Sequence, residues 1–199
     1  MTGSQGKLTV AVVTGGHFFD VVNFHKLFRA FESIDVYVQH MDDWASSSED
    51  ARASYDAVVF YNFHMETPPD GGLPWYCGRP RAAIEALGAA PQGIVVLHHA
   101  TLAWPEWELW DEIVGIRDRQ FDYFLDQTVT LKPKRTAHPV TEGLAPWGMV
   151  DETYTMNEPD ETSTVLLTLE SHNSMKAAAW IRSYRNARVF CLQLSLIHI

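Results

Sequence analysis

Apolar runs broken by polar, glycine-rich stops dominate the first half of the chain. Leu8-Thr9-Val10-Ala11-Val12-Val13 is β-branched and almost continuously apolar, and it ends at Gly15-Gly16. Runs of this kind are strands buried on both faces, as in parallel sheets. From Asp20 the period changes: Val21, Val22, Phe24, His25, Leu27, Phe28 and Phe31 recur at three- and four-residue steps. That spacing predicts an amphipathic helix with Asp20 as its N-cap. Asp35-Val36-Tyr37-Val38 reads as a second strand, Ser46 to Ser54 as a polar stretch with a short serine-capped helix, and Tyr55 to Tyr61 as a third strand. Thr67 to Pro80 contains Pro68-Pro69-Asp70-Gly71-Gly72 and predicts a loop. Arg81 to Leu87 follows as a helix, and Gly93-Ile94-Val95-Val96-Leu97 as a fourth strand ending in His98-His99-Ala100. In Pro105 to Val114, Trp107, Trp110, Ile113 and Val114 form one helical stripe, with Pro105 in the first turn.

Strand and helix therefore alternate four times before Gly115, the pattern of βαβ crossovers and an open α/β fold with a parallel sheet. Beyond residue 120 short strand-like pieces take over: Phe121 to Phe124, Gln127 to Leu131, Val150 to Met156, Val165 to Leu169, Ala177 to Ile181 and Val189 to Leu194. These predict short antiparallel additions and a returning sheet strand. No linker or repeat divides the chain, so residues 1–199 read as a single domain.

Composition narrows the function. The 199 residues carry 15 Lys+Arg against 25 Asp+Glu, a formal net charge of −10. An acidic protein whose one basic run is Lys132-Pro133-Lys134-Arg135 is not built to neutralise a phosphate backbone, so no nucleic acid is expected. No apolar run approaches the roughly 18–20 residues that span a bilayer. The N-terminus also lacks the long apolar core of a signal peptide. The expectation is a cytoplasmic protein with no membrane partner; homo-oligomer formation is left open. Two cysteines, Cys77 and Cys191, exclude a disulfide framework or a Cys-rich zinc module.

In an open α/β sheet the ligand crevice lies beyond the carboxyl ends of the strands. Those ends carry Gly15, Gly16 and His17, then Asn62 and His64, then His98 and His99. Histidine is the usual acid/base near neutral pH and the commonest metal ligand. His98-His99 stands out, because two adjacent imidazoles where an apolar strand ends serve no packing purpose. The Gly15-Gly16 turn lacks the G-x-G-x-x-G spacing and the P-loop lysine, so no nucleotide is expected. Its backbone amides, with His17, suit an anion or a sugar hydroxyl. His25, His40 and His172 fit ordinary surface or hydrogen-bonded roles. Asp151-Glu152-x-Tyr154 is the acidic candidate, and strand alternation sends Glu152 and Tyr154 to one side. Trp104 lies near enough to the elbow to stack on a sugar ring. A divalent metal is compatible with these residues, although no H-x-x-x-H spacing specifies one. The elbow Leu97-His98-His99-Ala100-Thr101 holds neither Cys nor Ser at its apex, which argues against a Cys-His amidase.

Taken in order, Val12-Val13-Thr14-Gly15-Gly16-His17, Tyr55 to Phe60, Gly93 to Ala100, Trp104-Pro105-x-Trp107, His138-Pro139-Val140-Thr141-x-Gly143-Leu144, Asp151-Glu152-x-Tyr154, Trp180-x-Arg182-x-Tyr184 and Arg188-Val189-Phe190 resemble the ThuA-like (trehalose utilisation) family. The resemblance implies a flavodoxin-like three-layer sandwich related to class I glutamine amidotransferases. It also implies a carbohydrate substrate, trehalose or a related keto-disaccharide. By motif match His17, His98, His99, Glu152 and Tyr154 inherit the site role, while His138, followed by proline, fits a turn. The family pattern continues to Leu-Gly-His and a further helix. Here Leu194 is followed by Ser195-Leu196-Ile197-His198-Ile199, so the expectation is a C-terminus shortened relative to the family, with His198 no substitute for the missing histidine.

The resulting expectation is an enzyme acting on a sugar or keto-sugar. His99 is the acid/base and Glu152 its partner or a metal ligand, with Gly16, His17, Asn62, His98, Trp104 and Tyr154 around the substrate. The alternative is a non-catalytic sugar-binding or interaction domain that keeps the crevice without a nucleophile.

Overall fold

The β-branched runs become the inner strands of one nine-stranded sheet. The structure is a computed structural model that describes residues 6–134 and 137–195; His198 lies outside the described residues. β1 (Leu8–Gly15), β2 (Ile34–His40), β3 (Ala57–Asn62) and β4 (Gly93–Leu97) lie in the order β2-β1-β3-β4, all parallel. β5 (Asp122–Pro133), β6 (Trp147–Thr155), β7 (Thr164–Glu170) and β8 (Ala177–Tyr184) complete the far side. The last strand, β9 (Ala187–Leu192), returns to lie between β4, to which it is parallel, and β8, to which it is antiparallel.

The α/β class holds, but the expected mostly parallel sheet is only half parallel. It is parallel across β2-β1-β3-β4-β9 and antiparallel from β9 through β8, β7, β5 and β6. Connection length is the reason. β8 and β9 are joined by Arg185-Asn186 alone, with Arg185 at φ 50°, and a two-residue turn can only join antiparallel neighbours. The antiparallel strands are also longer than the pieces read from the sequence. Phe121–Phe124 and Gln127–Leu131 belong to one strand, β5, interrupted by a bulge between Phe124 and Gln127 with Asp126 at φ 53°.

Helices cover both faces of the parallel half. α1 (Val21–Arg29) is capped as expected, Asp20 accepting the Asn23 backbone N–H, and it buries Phe24 and Phe28 against Val10, Val12, Val59 and Tyr61. α2 (Met41–Ser46), α3 (Glu49–Ala53), α4 (Pro80–Glu85) and α5 (Glu108–Val114) are the remaining α-helices among the described residues. Met41, Trp44, Ile84, Trp110 and Ile113 from α2, α4 and α5 pack with Ala11, Val13, Phe60 and Val96 from the sheet. Since β-strand side chains alternate between faces, these are the opposite face to Val10 and Val12, which makes the three layers. α5 starts at Glu108 rather than Pro105, because the chain first turns at Trp104 (φ 48°), whose carbonyl accepts the Trp107 N–H.

Candidate functional site

The carboxyl ends of β1, β3 and β4 meet the middle of β6. After β4 the chain makes a short 3₁₀ turn, His98–Thr101, that His98 enters at φ 52°. Thr101 Oγ1 donates to the His98 carbonyl (2.7 Å), and Trp110 Nε1 to the Ala100 carbonyl (2.9 Å). From behind, the buried Arg119 guanidinium donates to the carbonyls of Thr101, Ala103 and Trp104 and pairs with Asp111 at 2.6 Å. Three carbonyls tied to one cation hold a non-regular segment that would otherwise carry unsatisfied backbone acceptors.

Gly16 turns the chain out of β1 at φ 80°, and a Cβ there would fall on the Phe63 carbonyl. That close approach sets His17 edge-on to His99, ring centroids 4.9 Å apart, with His17 Nδ1 2.9 Å from the Phe18 carbonyl. Phe63 stacks on the other side of His99 at 4.6 Å and 22°. Alternation along β6 works as expected. Glu152 Oε2 lies 3.6 Å from His99 Nε2, both side chains being only 12–13% exposed, and the buried Tyr154 hydroxyl lies 3.1 Å from His98 Nδ1.

Proton positions follow from the partners. The Gln193 carbonyl, 3.4 Å from His98 Nδ1, can only accept, so it favours the tautomer with the proton on Nδ1. The Tyr154 hydroxyl is a second partner of His98, 3.1 Å from Nδ1 and 3.5 Å from Nε2. Burial first, and then the negative charges of Glu152 and Asp151, push its phenol well above the ordinary tyrosine range, so it keeps its proton. Asp151, the neighbour of Glu152, is raised chiefly by burial. It anchors the backbone, accepting N–H groups from Ser195 (2.8 Å) and Glu152 (2.9 Å).

His99, Glu152 and Tyr154 open onto a cleft of about 820 Å³ whose walls include Phe63, Phe121, Tyr123 and Met149. His17 and His98 contact His99 from behind. Of the expected substrate contacts only Tyr154 is in this lining; Gly16 forms the turn behind His17, and two more lie elsewhere. Trp104 is 1% exposed, its ring stacked on His64 (5.8 Å, 7°) and edge-on to Trp107 and Trp110, so no face is open to a sugar. The Trp104 backbone sits at φ 48°. Asn62 is fully buried, with its amide nitrogen 3.2 Å from His64 Nδ1. His64 is held below the ordinary histidine range, first by burial and then by the charge of His40, with Asp42 opposing. His138 does fix a turn, its Nδ1 accepting the Val140 N–H at 3.2 Å. His40 caps α2 by accepting from Asp42 N.

Phe63, Phe121 and Arg119 were not singled out from the sequence. Phe63 directly follows β3, so its place at a strand end was an available signal; nothing local marks Arg119 as buried. The elbow apex is His98-His99, without a nucleophile. Cys191 is fully buried in β9 with its thiol pushed up by burial, and Cys77 sits in a 3₁₀ turn of the Pro/Gly loop.

A family model described as trehalose utilisation matches residues 10–194. Among solved structures, a ThuA-like protein from Parabacteroides merdae superposes with a TM-score of 0.68 at 17% identity, covering 94% of this chain and 79% of that one. A ThuA-like protein from Bacteroides uniformis gives 0.67 at 16% identity, with 96% and 83% covered. A glutamine amidotransferase from Thermotoga maritima gives 0.55 at 12% identity, with 94% and 76% covered, a likeness of fold alone. No curated protein matches the sequence. Among the described residues no helix is long and apolar enough to cross a membrane.

Proposed function

Because the chain belongs to the ThuA, or trehalose utilisation, family, we propose that it acts on a sugar or keto-sugar bound in the cleft, with His99 and Glu152 handling the proton. The observation that carries this reading is the 3.6 Å approach of His99 Nε2 to Glu152 Oε2 at the wall of an 820 Å³ cleft. An imidazole backed by a carboxylate is the usual means of moving a proton near neutral pH, and a cleft of this size accommodates a disaccharide. The reaction is a hydrolysis or a proton transfer next to a carbonyl. The pair takes the proton at Nε2 or through a water held between the two groups, since 3.6 Å exceeds a direct hydrogen bond. Tyr154, which keeps its proton, holds His98 beside that pair. His98 and His17 fix the plane of the His99 ring.

The test is incubation with trehalose and keto-disaccharides, with products followed by mass spectrometry. His99→Ala and Glu152→Gln should each lower turnover by roughly 10²–10⁴-fold, the usual range for losing a positioned acid/base. Full turnover in His99→Ala removes the assignment. The absence of a nucleophile at the elbow favours a second reading, a sugar-binding domain; ligand-induced thermal shifts without any product support it.

A further inference from the structure

The same three side chains that line or back the cleft wall have the composition of a metal site. His98, His99 and Glu152 each offer one nitrogen or oxygen, all within 4.8 Å of one another. Two ligands bound at about 2.0–2.1 Å around a tetrahedral ion are about 3.3 Å apart. The observed 3.6 Å between His99 Nε2 and Glu152 Oε2 is within a few tenths of an ångström of that value. Closing the widest gap requires a contraction of at most about 1.5 Å, a small side-chain rotation on this geometry. We infer that His98, His99 and Glu152 form a binding site for a divalent first-row cation of the zinc or cobalt type, with its remaining coordination positions facing the cleft.

Three further observations support the assignment. With its proton on Nδ1, His98 donates toward the Gln193 carbonyl at 3.4 Å and presents Nε2 as the ligand atom, as in metal-binding histidines oriented by an outer partner. The Tyr154 hydroxyl lies 3.1 Å from His98 Nδ1 and 3.5 Å from Nε2, an outer contact to one of the three ligands. His98 adopts its ligand position at φ 52°, a backbone conformation disfavoured for a non-glycine residue and braced here by Thr101 and Arg119. Two imidazoles and a carboxylate suit zinc, cobalt, iron or manganese, while a purely carboxylate set would suit magnesium or calcium.

The inference rests on the reading of the cleft as the reaction site and refines which atom takes the proton. With the ion bound, His99 Nε2 would be a ligand, and the proton acceptor would be the hydroxide left when an ion-bound water, acidified by the ion's charge, releases a proton to solvent.

Tag-free full-length protein, stripped with EDTA and desalted, is titrated with Co²⁺ alone and then Zn²⁺ alone. Calorimetry, the visible absorption of Co²⁺ and elemental analysis read the result, with no sugar present. The expected outcome is one ion per chain. His99→Gln and Glu152→Gln should weaken binding by about 100-fold or more, and Tyr154→Phe by about 10-fold, in line with the loss of inner and outer groups at such sites. His172→Gln should bind as the parent does. Urea midpoints of all four variants establish that they fold, and the buried His98 is left intact for that reason. Binding that is absent, or that survives both His99→Gln and Glu152→Gln, overturns the inference. Sugar turnover that persists in EDTA and requires His99 ends the metal site while leaving the proposed function standing. Stoichiometric Co²⁺ binding in a protein that turns over no sugar does the reverse.

Discussion

Arg119 offers the sharpest test of how the fold builds its site. Its guanidinium is fully buried, pairs with Asp111 at 2.6 Å, and satisfies the carbonyls of Thr101, Ala103 and Trp104. Burial pulls its pKa down and the Asp111 carboxylate raises it again. Arg119→Met keeps the side-chain length but leaves one carboxylate and three buried acceptors without their donor. Removing one partner of a buried pair costs about 3–5 kcal/mol, a third or more of a typical domain's stability. At about 2–4 °C per kcal/mol for a chain of this size, the melting temperature should fall by roughly 6–20 °C. Asp111→Asn should cost less, about 1–2 kcal/mol, because the guanidinium keeps its three carbonyls and the amide oxygen still accepts. Urea unfolding followed by tryptophan fluorescence reads both, since Trp104, Trp107 and Trp110 surround the segment. A loss below about 1 kcal/mol for Arg119→Met, or a larger loss for Asp111→Asn, would refute the bracing role.

His64 gives a pH dependence with a definite sign. Its pKa is lowered from 6.5 in the fold, so below that value the unfolded chain binds the proton more readily. Stability is therefore complete above about pH 6.5 and is lost as pH falls toward the lowered value. His64→Gln should flatten the fall in melting temperature between about pH 7 and 5; an unchanged fall assigns the effect to other groups. Trp104→Phe should lose about 1–3 kcal/mol of stability and leave sugar affinity unchanged, whereas weaker sugar binding at full stability would return that ring to the site. Gly16→Ala should cost about 1–3 kcal/mol, given its positive φ and the Phe63 carbonyl in the way; a neutral result in thermal unfolding contradicts the close approach. Native protein should react with a thiol reagent at Cys77 and not at Cys191, whose sulfur is fully buried. Two fast-reacting thiols before unfolding would contradict that packing.

Much of the candidate site was legible because it depends on local period. The apolar runs of β1, β3 and β4 place their terminal residues at one edge of a parallel sheet. Alternation in β6 then sends Glu152 and Tyr154 together to meet the two histidines. What period cannot show is direction of pairing. The pieces of β5 read as separate strands because the bulge at Asp126 breaks their alternation. The antiparallel half is set by short turns such as Arg185-Asn186, whose two residues carry no strong hairpin signal. Trp104 was misplaced for a related reason: proximity to the elbow does not show that its ring packs against His64, Trp107 and Trp110. Arg119 escaped notice because a lone arginine reads as surface until its carbonyl partners, fifteen or more residues back in the chain, are seen in space.

The position of β9 has a consequence for how the protein is made. Between the end of β4 at Leu97 and the start of β9 at Ala187, a ribosome adding ~5–20 residues per second needs on the order of 5–20 s. Throughout that interval the growing chain presents β4 as a bare, apolar border with nothing yet synthesised to dock on it. The nascent polypeptide is then most prone to clumping with its neighbours and most in need of a chaperone. A message cut short before codon 187 would leave both halves of the sheet with such a border for good.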